Sequence, residues 1–421
     1  MYKNNFIIKI ILFIQILLLV GCNSGSKLND NTYQIVVDAG SSGSRVYLYK
    51  IIELNNSVNI QLVQNINNKN EAIDNLKIYG GISNYATQLN QLDTTFIEPL
   101  RKYVNSFCTN HIIENNNCYN IPVHILSTGG MRLLPESQNI AINTYILSKL
   151  KNVGFNNKQN EATTIPGWQE GLYSWLDINY LNNVFDSNQN TQNLIEVGGA
   201  SAQIAFEFES NISNLIENNN PNISQNIVNF MLGKKLYHIY SVSFLGLGQD
   251  QALLKMKSDT MHNFCLNKSN NDLDSNFEYS TCSKIYEGII SSYNISQTLT
   301  GIKPINNSYY AIGSFYYNNM FWSESAKFSP EIIIVPGIHR FIENQCNEKT
   351  LNEIKDSQKD KSNNKPELEC PNITYTDLFL NNIQLLQANN TMIKSLLTLN
   401  NHEISWTLGF IFAKYSSQKY T

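Results

Sequence analysis

Ile35-Val36-Val37-Asp38-Ala39-Gly40-Ser41-Ser42-Gly43-Ser44-Arg45-Val46-Tyr47-Leu48-Tyr49 is a β-rich run ending in an acid, a turn of glycine and serine, and a second β-rich run. Leu194-Ile195-Glu196-Val197-Gly198-Gly199-Ala200-Ser201-Ala202-Gln203-Ile204-Ala205-Phe206 repeats the pattern, with Glu196 as its strand-end acid. A β-hairpin tipped with small residues brings backbone N–H groups close to whatever lies beyond it, and such amide nests bind phosphate. Two of them, each carrying an acid, describe two half-sites that close on a metal-bound polyphosphate. In a doubly wound Rossmann sheet the phosphate loop enters a helix directly. Here Arg45–Tyr49 alternates and is β-branched or aromatic, so a strand follows the turn.

The rest of the chain reads as two similar halves. Helical periodicity covers Leu92–Phe107, and Ile121–Leu126 reads as a buried strand running into Ser127-Thr128-Gly129-Gly130-Met131-Arg132. A helix over Asn139–Val153 follows, with Gly154 as its stop. After the Glu196 hairpin come a strand at Tyr237–Phe244, a glycine loop at Leu245–Gln249 and a helix from Asp250. Hairpin, strand, glycine loop and helix thus occur twice. The fold class expected is α/β, a two-lobed actin-like ATPase fold made of a duplicated ribonuclease H-like unit with a central cleft. Its expected boundaries are 33–157 for the first part of lobe I, 158–395 for lobe II and 396–421 for a C-terminal helix returning to lobe I.

Composition limits the chemistry. The 421 residues carry a formal net charge of -4 and no basic stripe with interleaved aromatics, so nucleic-acid binding is disfavoured. The histidines do not cluster, which disfavours a hydrolase with a protein nucleophile. Lys3, Lys9 and the apolar Ile10–Val20 form a short signal-type segment, and Leu19-Val20-Gly21-Cys22 has the form of a bacterial lipoprotein cleavage site. Residues 1–21 are therefore expected as a signal peptide, Cys22 as a lipidated residue and 22–32 as a tether. An exported protein follows, either a periplasmic or outer-membrane lipoprotein anchored through its lipid, or a secreted one. The remaining six cysteines allow 15 connectivities, and their order favours three local loops: Cys108–Cys118, Cys265–Cys282 and Cys346–Cys370. All lie in polar stretches, so each reads as a staple on a surface excursion. Zinc is disfavoured by the lack of C-x-x-C and of a nearby His pair.

Five short motifs make the reading specific: Asp38–Arg45, Ser127–Arg132, Trp168–Trp175 with Asn179-Tyr180-Leu181, Glu196–Gln203, and Trp406-Thr407-Leu408-Gly409. In this order they resemble the apyrase family of nucleoside triphosphate diphosphohydrolases, and the resemblance runs from about Tyr33 to Tyr415. It implies hydrolysis of nucleoside tri- and diphosphates with a divalent cation (Mg²⁺, Ca²⁺ or Mn²⁺). It implies that Glu170 activates the attacking water and that Ser201 and Gln203 position it. Asp38, Glu196 and Trp406 would hold the metal through its water shell. Backbone amides around Ser41, Ser42, Gly43, Ser44, Gly199, Ala200 and Ser201, with the hydroxyls of Ser41, Ser42 and Thr128, would hold phosphate. Arg45 and Arg132 are each open between a phosphate contact and a structural salt bridge, Arg45 being carried with the phosphate set. Tyr317 is the residue chosen to stack on the base, with Tyr316 in reserve. Glu196 stands where the family more often has Asp, and Gly129 where it more often has Ala.

The expected partners are nucleotides and, through the lipid, a membrane, and the protein is expected to be a monomer. Two other readings compete. One is an actin-fold phosphatase acting on polyphosphate or guanosine penta/tetraphosphate. The other is a non-catalytic, nucleotide-binding surface lipoprotein.

Overall fold

The computed structural model describes residues 32–54, 57–66, 72–110, 118–187, 189–209, 223–269, 274–326, 331–333, 335–357, 365–387 and 391–417. Cys22 and the expected signal segment lie outside them.

Two mixed sheets carry the fold. The first contains β1 (Thr32–Ala39), β2 (Gly43–Leu54), β3 (Ser57–Leu62), β4 (Asn75–Tyr79), β5 (Val123–Ser127) and β6 (Glu161–Thr164). Its strand order is β3-β2-β1-β5-β6, with β4 paired to the start of β2. The second contains β7 (Asn193–Val197), β8 (Ser201–Glu207), β9 (Ile227–Leu232), β10 (Lys235–Leu245), β11 (Ser308–Gly313), β12 (Ile332–Ile333) and β13 (Met392–Ser395). Its order is β9-β10-β8-β7-β11-β13-β12. In each sheet the acid-bearing strand is central. An antiparallel meander lies on one side of it (β1-β2-β3, and β7-β8-β10), and parallel strands lie on the other (β5 and β6, β11 and β13). This is one unit built twice.

The duplication differs from the sequence expectation by one strand. Tyr237–Phe244 belongs to β10, which is the third strand of the second meander and pairs antiparallel with β8. The topological counterpart of β5 is β11, parallel to β7 as β5 is to β1. A strand followed by a glycine loop and a helix looks alike in both places, and pairing direction is not written in the local sequence. The strand β6, at 161–164, joins the first sheet beyond the boundary drawn at 157.

Strand alternation sorts side chains between two environments. Ile35, Val37 and Ala39 of β1 enter the outer core of the first sheet with helices α1 (Glu98–Asn110) and α2 (Glu136–Asn152), whereas Val36 faces the space between the sheets. On β7, Ile195 and Val197 face outward and Leu194 faces inward. Asp38 continues the parity of Val36, and Glu196 that of Leu194. Both acids therefore point between the lobes.

That space is filled by α3 (Gly167–Leu181) and, much later in the chain, α9 (Trp406–Ser417). Between them in sequence come α4 (Gln249–Lys257), α5 (Tyr279–Ser291), α6 (Ser314–Ala326), α7 (Val335–Cys346) and α8 (Glu369–Asn381), whose buried side chains belong to the outer core of the second sheet. Phe412 of α9 packs parallel to Phe185, with ring centroids 5.1 Å apart. Gly409 is the point of closest approach: a Cβ there would lie 1.8 Å from the Tyr173 carbonyl oxygen. Gly409→Ala must push α9 off α3, and overpacking of this kind costs about 1–3 kcal/mol. A lowered midpoint in urea with an unchanged slope is the expected result.

Cys108–Cys118, Cys265–Cys282 and Cys346–Cys370 are bonded. All six cysteines are buried, the first pair in the outer core of the first sheet and the other two in that of the second. They are core elements, not staples on surface excursions. A paired cysteine has no polar hydrogen left to satisfy, so a polar neighbourhood in sequence does not keep it at the surface. Among the described residues, no helix is long and apolar enough to cross a membrane.

Candidate active site

The tips of the two acid-bearing hairpins face each other across a cleft of about 320 Å³. Asp38, Ser41, Ser42, Gly43, Arg45, Thr128, Glu170, Glu196, Gly199, Ala200, Ser201, Tyr317 and Trp406 line it. Gln203 lies behind the lining and Tyr316 packs edge-on against Tyr317 at 5.6 Å. Ser44 is not in the lining: its hydroxyl is buried without a partner inside β2. Tyr317 is 56% exposed at the mouth, as a surface for stacking must be.

The tips come together closely because they lack side chains. A Cβ on Gly199 would fall 2.6 Å from Ser41 Oγ, and one on Gly129 would fall 2.8 Å from the Ala200 Cβ and 3.0 Å from Ser201 Oγ. Glycine at 129 thus lets the first lobe's loop touch the second lobe's loop.

Glu170 is in the first turn of α3, 7% exposed at the cleft. Arg132 Nη2 donates to Glu170 Oε2 at 2.6 Å and to Ser201 Oγ at 2.9 Å, while Arg132 Nη1 donates to the Ile165 carbonyl at 3.0 Å. Gln203 Nε2 donates to Ser201 Oγ at 2.7 Å, to Ser243 Oγ at 3.0 Å and, at 3.3 Å, to Glu170 Oε2. The carboxylate acceptor fixes which end of the Gln203 amide points at Glu170. Arg132 is thereby ion-paired with Glu170 and hydrogen-bonded to Ser201, while Arg45 pairs with Asp38 at 3.7 Å.

Three acids converge here, Glu170 buried and Asp38 and Glu196 half-buried at the cleft wall. Burial is the largest cause raising each. It pushes Asp38 up to about 7, against the pull of Arg45 and with a push from Glu170. It pushes Glu196 up to about 8, with Glu170 and Asp38 adding and the Ser174 hydroxyl, 2.6 Å away, opposing. Glu170 is also raised, although Arg132 pulls it down. Trp406, beside Asp38 in the cleft lining, helps hold the Asp38 carboxyl down. Among the described residues no three His, Cys, Asp or Glu groups sit close enough to ligate a cation directly. Facing carboxylates raised by each other's charge fit a cation that keeps its water shell, as Mg²⁺ does.

The sequence pattern of the GDA1/CD39 (nucleoside phosphatase) family matches residues 25–298. The chain belongs to this family. Among curated proteins, this GDA1/CD39 member is 32% identical over 254 residues to nucleoside-triphosphatase ntp-1 of Caenorhabditis elegans, covering 59% of the chain and 43% of that relative. It is 31% identical over 260 residues to ectonucleoside triphosphate diphosphohydrolase 7 of Mus musculus, covering 56% and 42%. The matches thus span less than half the length of these relatives. A crystal structure of nucleoside triphosphate hydrolases from Neospora caninum aligns with a TM-score of 0.63 at 14% identity, over 92% of this chain and 93% of that one. The Ppx/GppA family member of Aquifex aeolicus aligns with a TM-score of 0.51 at 11% identity, over 93% and 100%. At such identity these neighbours speak to the fold alone, and it is the two-lobed actin-like one.

Asp250 and Glu403 also line the cleft of this family member and were missed as site residues in the sequence. The signal for Asp250 was present, since it follows the glycine loop directly in the first turn of α4. Its Oδ2 would lie 2.5 Å from a Cβ on Gly199, and the Gln251 N–H donates to the Gly199 carbonyl at 3.1 Å. Glu403 sits on a two-residue strand that no pattern reveals.

Proposed function

We propose that the protein hydrolyses the terminal phosphates of nucleoside tri- and diphosphates by direct attack of a water that gives its proton to Glu170. The observation carrying this reading is the Glu170–Arg132–Ser201–Gln203 network, which holds a buried carboxylate between two glycine-lined phosphate loops. Phosphoryl transfer needs positioning, charge compensation and a placed nucleophile more than covalent chemistry. Backbone amides of Ser41–Gly43 and Gly199–Ser201, with the hydroxyls of Ser41, Ser42 and Thr128, are suited to grip the phosphates. A hydrated divalent cation (Mg²⁺, Ca²⁺ or Mn²⁺), held near Asp38, Glu196 and Trp406, supplies charge neutralisation when bound. Ser201 and Gln203 orient the water, and Glu170 keeps one oxygen for Arg132 while the other accepts the proton. Tyr317 stacks on the base, with Tyr316 supporting it edge-on, so many bases are accepted.

The protein would act as a monomer outside the cytosol, anchored through Cys22. The three disulfides are compatible with an oxidising compartment. Fold likeness to the Ppx/GppA member keeps a polyphosphate phosphatase as the second reading, and the exposed Tyr317 in the cleft favours a nucleotide over it.

Phosphate release from ATP, ADP, UDP and polyphosphate, with and without a chelator, tests this. Release from the nucleotides is expected, abolished by the chelator and restored by added metal. No release with Mg²⁺, Mn²⁺ or Ca²⁺ would leave only a nucleotide-binding protein. Release from polyphosphate alone would favour the second reading.

A further inference from the structure

Glu170, Ser174 and Asp177 fall at i, i+4 and i+7 and share one face of α3. All three are buried on a helix that is otherwise mostly apolar there. Glu170 and Ser174 reach the site directly, through Arg132 and Glu196. Asp177, fully buried two turns from Glu170, does not. Its Oδ2 accepts the Ser405 backbone N–H at 2.9 Å, and its Oδ1 has no partner. Ser405 immediately precedes α9. Its hydroxyl is 2.8 Å from Thr407 Oγ1, which in turn is 2.7 Å from the Tyr49 hydroxyl on β2. Between Ser405 and Thr407 stands Trp406, 5% exposed, which lines the cleft together with Asp38.

We propose that Asp177 is a positioning residue, holding the Ser405 backbone so that the Trp406 indole sits beside Asp38 and thereby setting the affinity for the divalent cation. The inference rests on the function proposed above. A residue kept only to fill the space between two sheets would be apolar, because a buried carboxyl with one unpaired oxygen is costly to pack. What Asp177 offers instead is an acceptor for an N–H that α9 cannot satisfy. The rest of the strut links α9 to β2, so the first helical turn of α9 is fixed by α3 on one side and by the first sheet on the other.

The test compares wild type, Asp177→Ala and Asp177→Asn as full-length proteins. Mn²⁺ binding is read from loss of the free-ion electron paramagnetic resonance signal, with a non-hydrolysable ATP analogue held at saturation. Asp177→Ala should bind Mn²⁺ about tenfold more weakly, equivalent to about 1.4 kcal/mol. Asn retains a carbonyl acceptor at the same place and should restore binding. Should the alanine variant not fold, Asp177→Val fills the space without an acceptor and should show the same weakening. Wild-type Mn²⁺ affinity in a folded Ala or Val variant would overturn the proposal, as would an Asn variant as weak as the alanine one. Binding is read without turnover. A wild type that binds Mn²⁺ but releases no phosphate would end the enzymatic reading and leave this one standing.

Discussion

Glu170→Gln is expected to lower kcat by about 10²–10⁴-fold, the range a general base contributes, while nucleotide binding persists. The phosphate grip belongs to the two hairpin loops, whose backbone amides the substitution does not touch. Glutamine keeps the length and shape of the side chain, so α3 has no reason to move. Its carbonyl oxygen will turn to Arg132, which can only donate, and its NH₂ will then face the water. An amide in that orientation donates where a proton must be accepted. Phosphate-release kinetics should therefore show a lost kcat, and binding of a non-hydrolysable ATP analogue should be close to wild type. A variant that keeps most of its turnover would place the base elsewhere, and Asp250, which also lines the cleft, would be the next to test.

The residues legible in the sequence were those whose chemistry is contained in one continuous segment. Asp38 and Glu196 announce themselves as the last acid before a small-residue turn, and strand parity then aims both into the cleft. Glu170 belongs to a motif that could be matched as a string. The unread features depend on segments far apart in the chain. Whether Arg132 meets phosphate or an acid could not be decided until α3 and β8 were seen to converge on it. The counterpart of β5 is hidden because β10 and β11 each reach a helix through glycine, Gly246 and Gly248 after β10 and Gly313 at the end of β11, and only pairing direction separates them. The cysteines were placed at the surface by their polar neighbours, although a disulfide packs as an apolar group. Asp177 left a faint trace, a third polar residue on the stripe of Glu170 and Ser174, but nothing local says that it meets Ser405, 228 residues away in the chain.

Arg132→Met should be the second severe lesion, and its signature is a displaced pH profile. Methionine roughly fills the space of the arginine stem but removes the only cation paired with Glu170 among the described residues. Breaking a buried pair in this way leaves an uncompensated charge and costs about 3–5 kcal/mol. Part of that cost is avoided if Glu170 takes up a proton, because burial already raises its pKa and Arg132 is what holds it down. The sign follows. Glu170 serves as base only when ionised, so wild-type kcat falls as pH drops through its pKa. Without Arg132 that pKa rises further, and the acid limb should move to higher pH. Ser201 also loses a donor, so the water is less well oriented and kcat should remain below wild type even at the alkaline plateau. Arg132→Lys keeps the charge but not the forked reach to Glu170, Ser201 and the Ile165 carbonyl. It should restore most of the pH profile and only part of the plateau. An unshifted acid limb in Arg132→Met, with the plateau merely lowered, would mean that Arg132 orients Ser201 and does not tune the base.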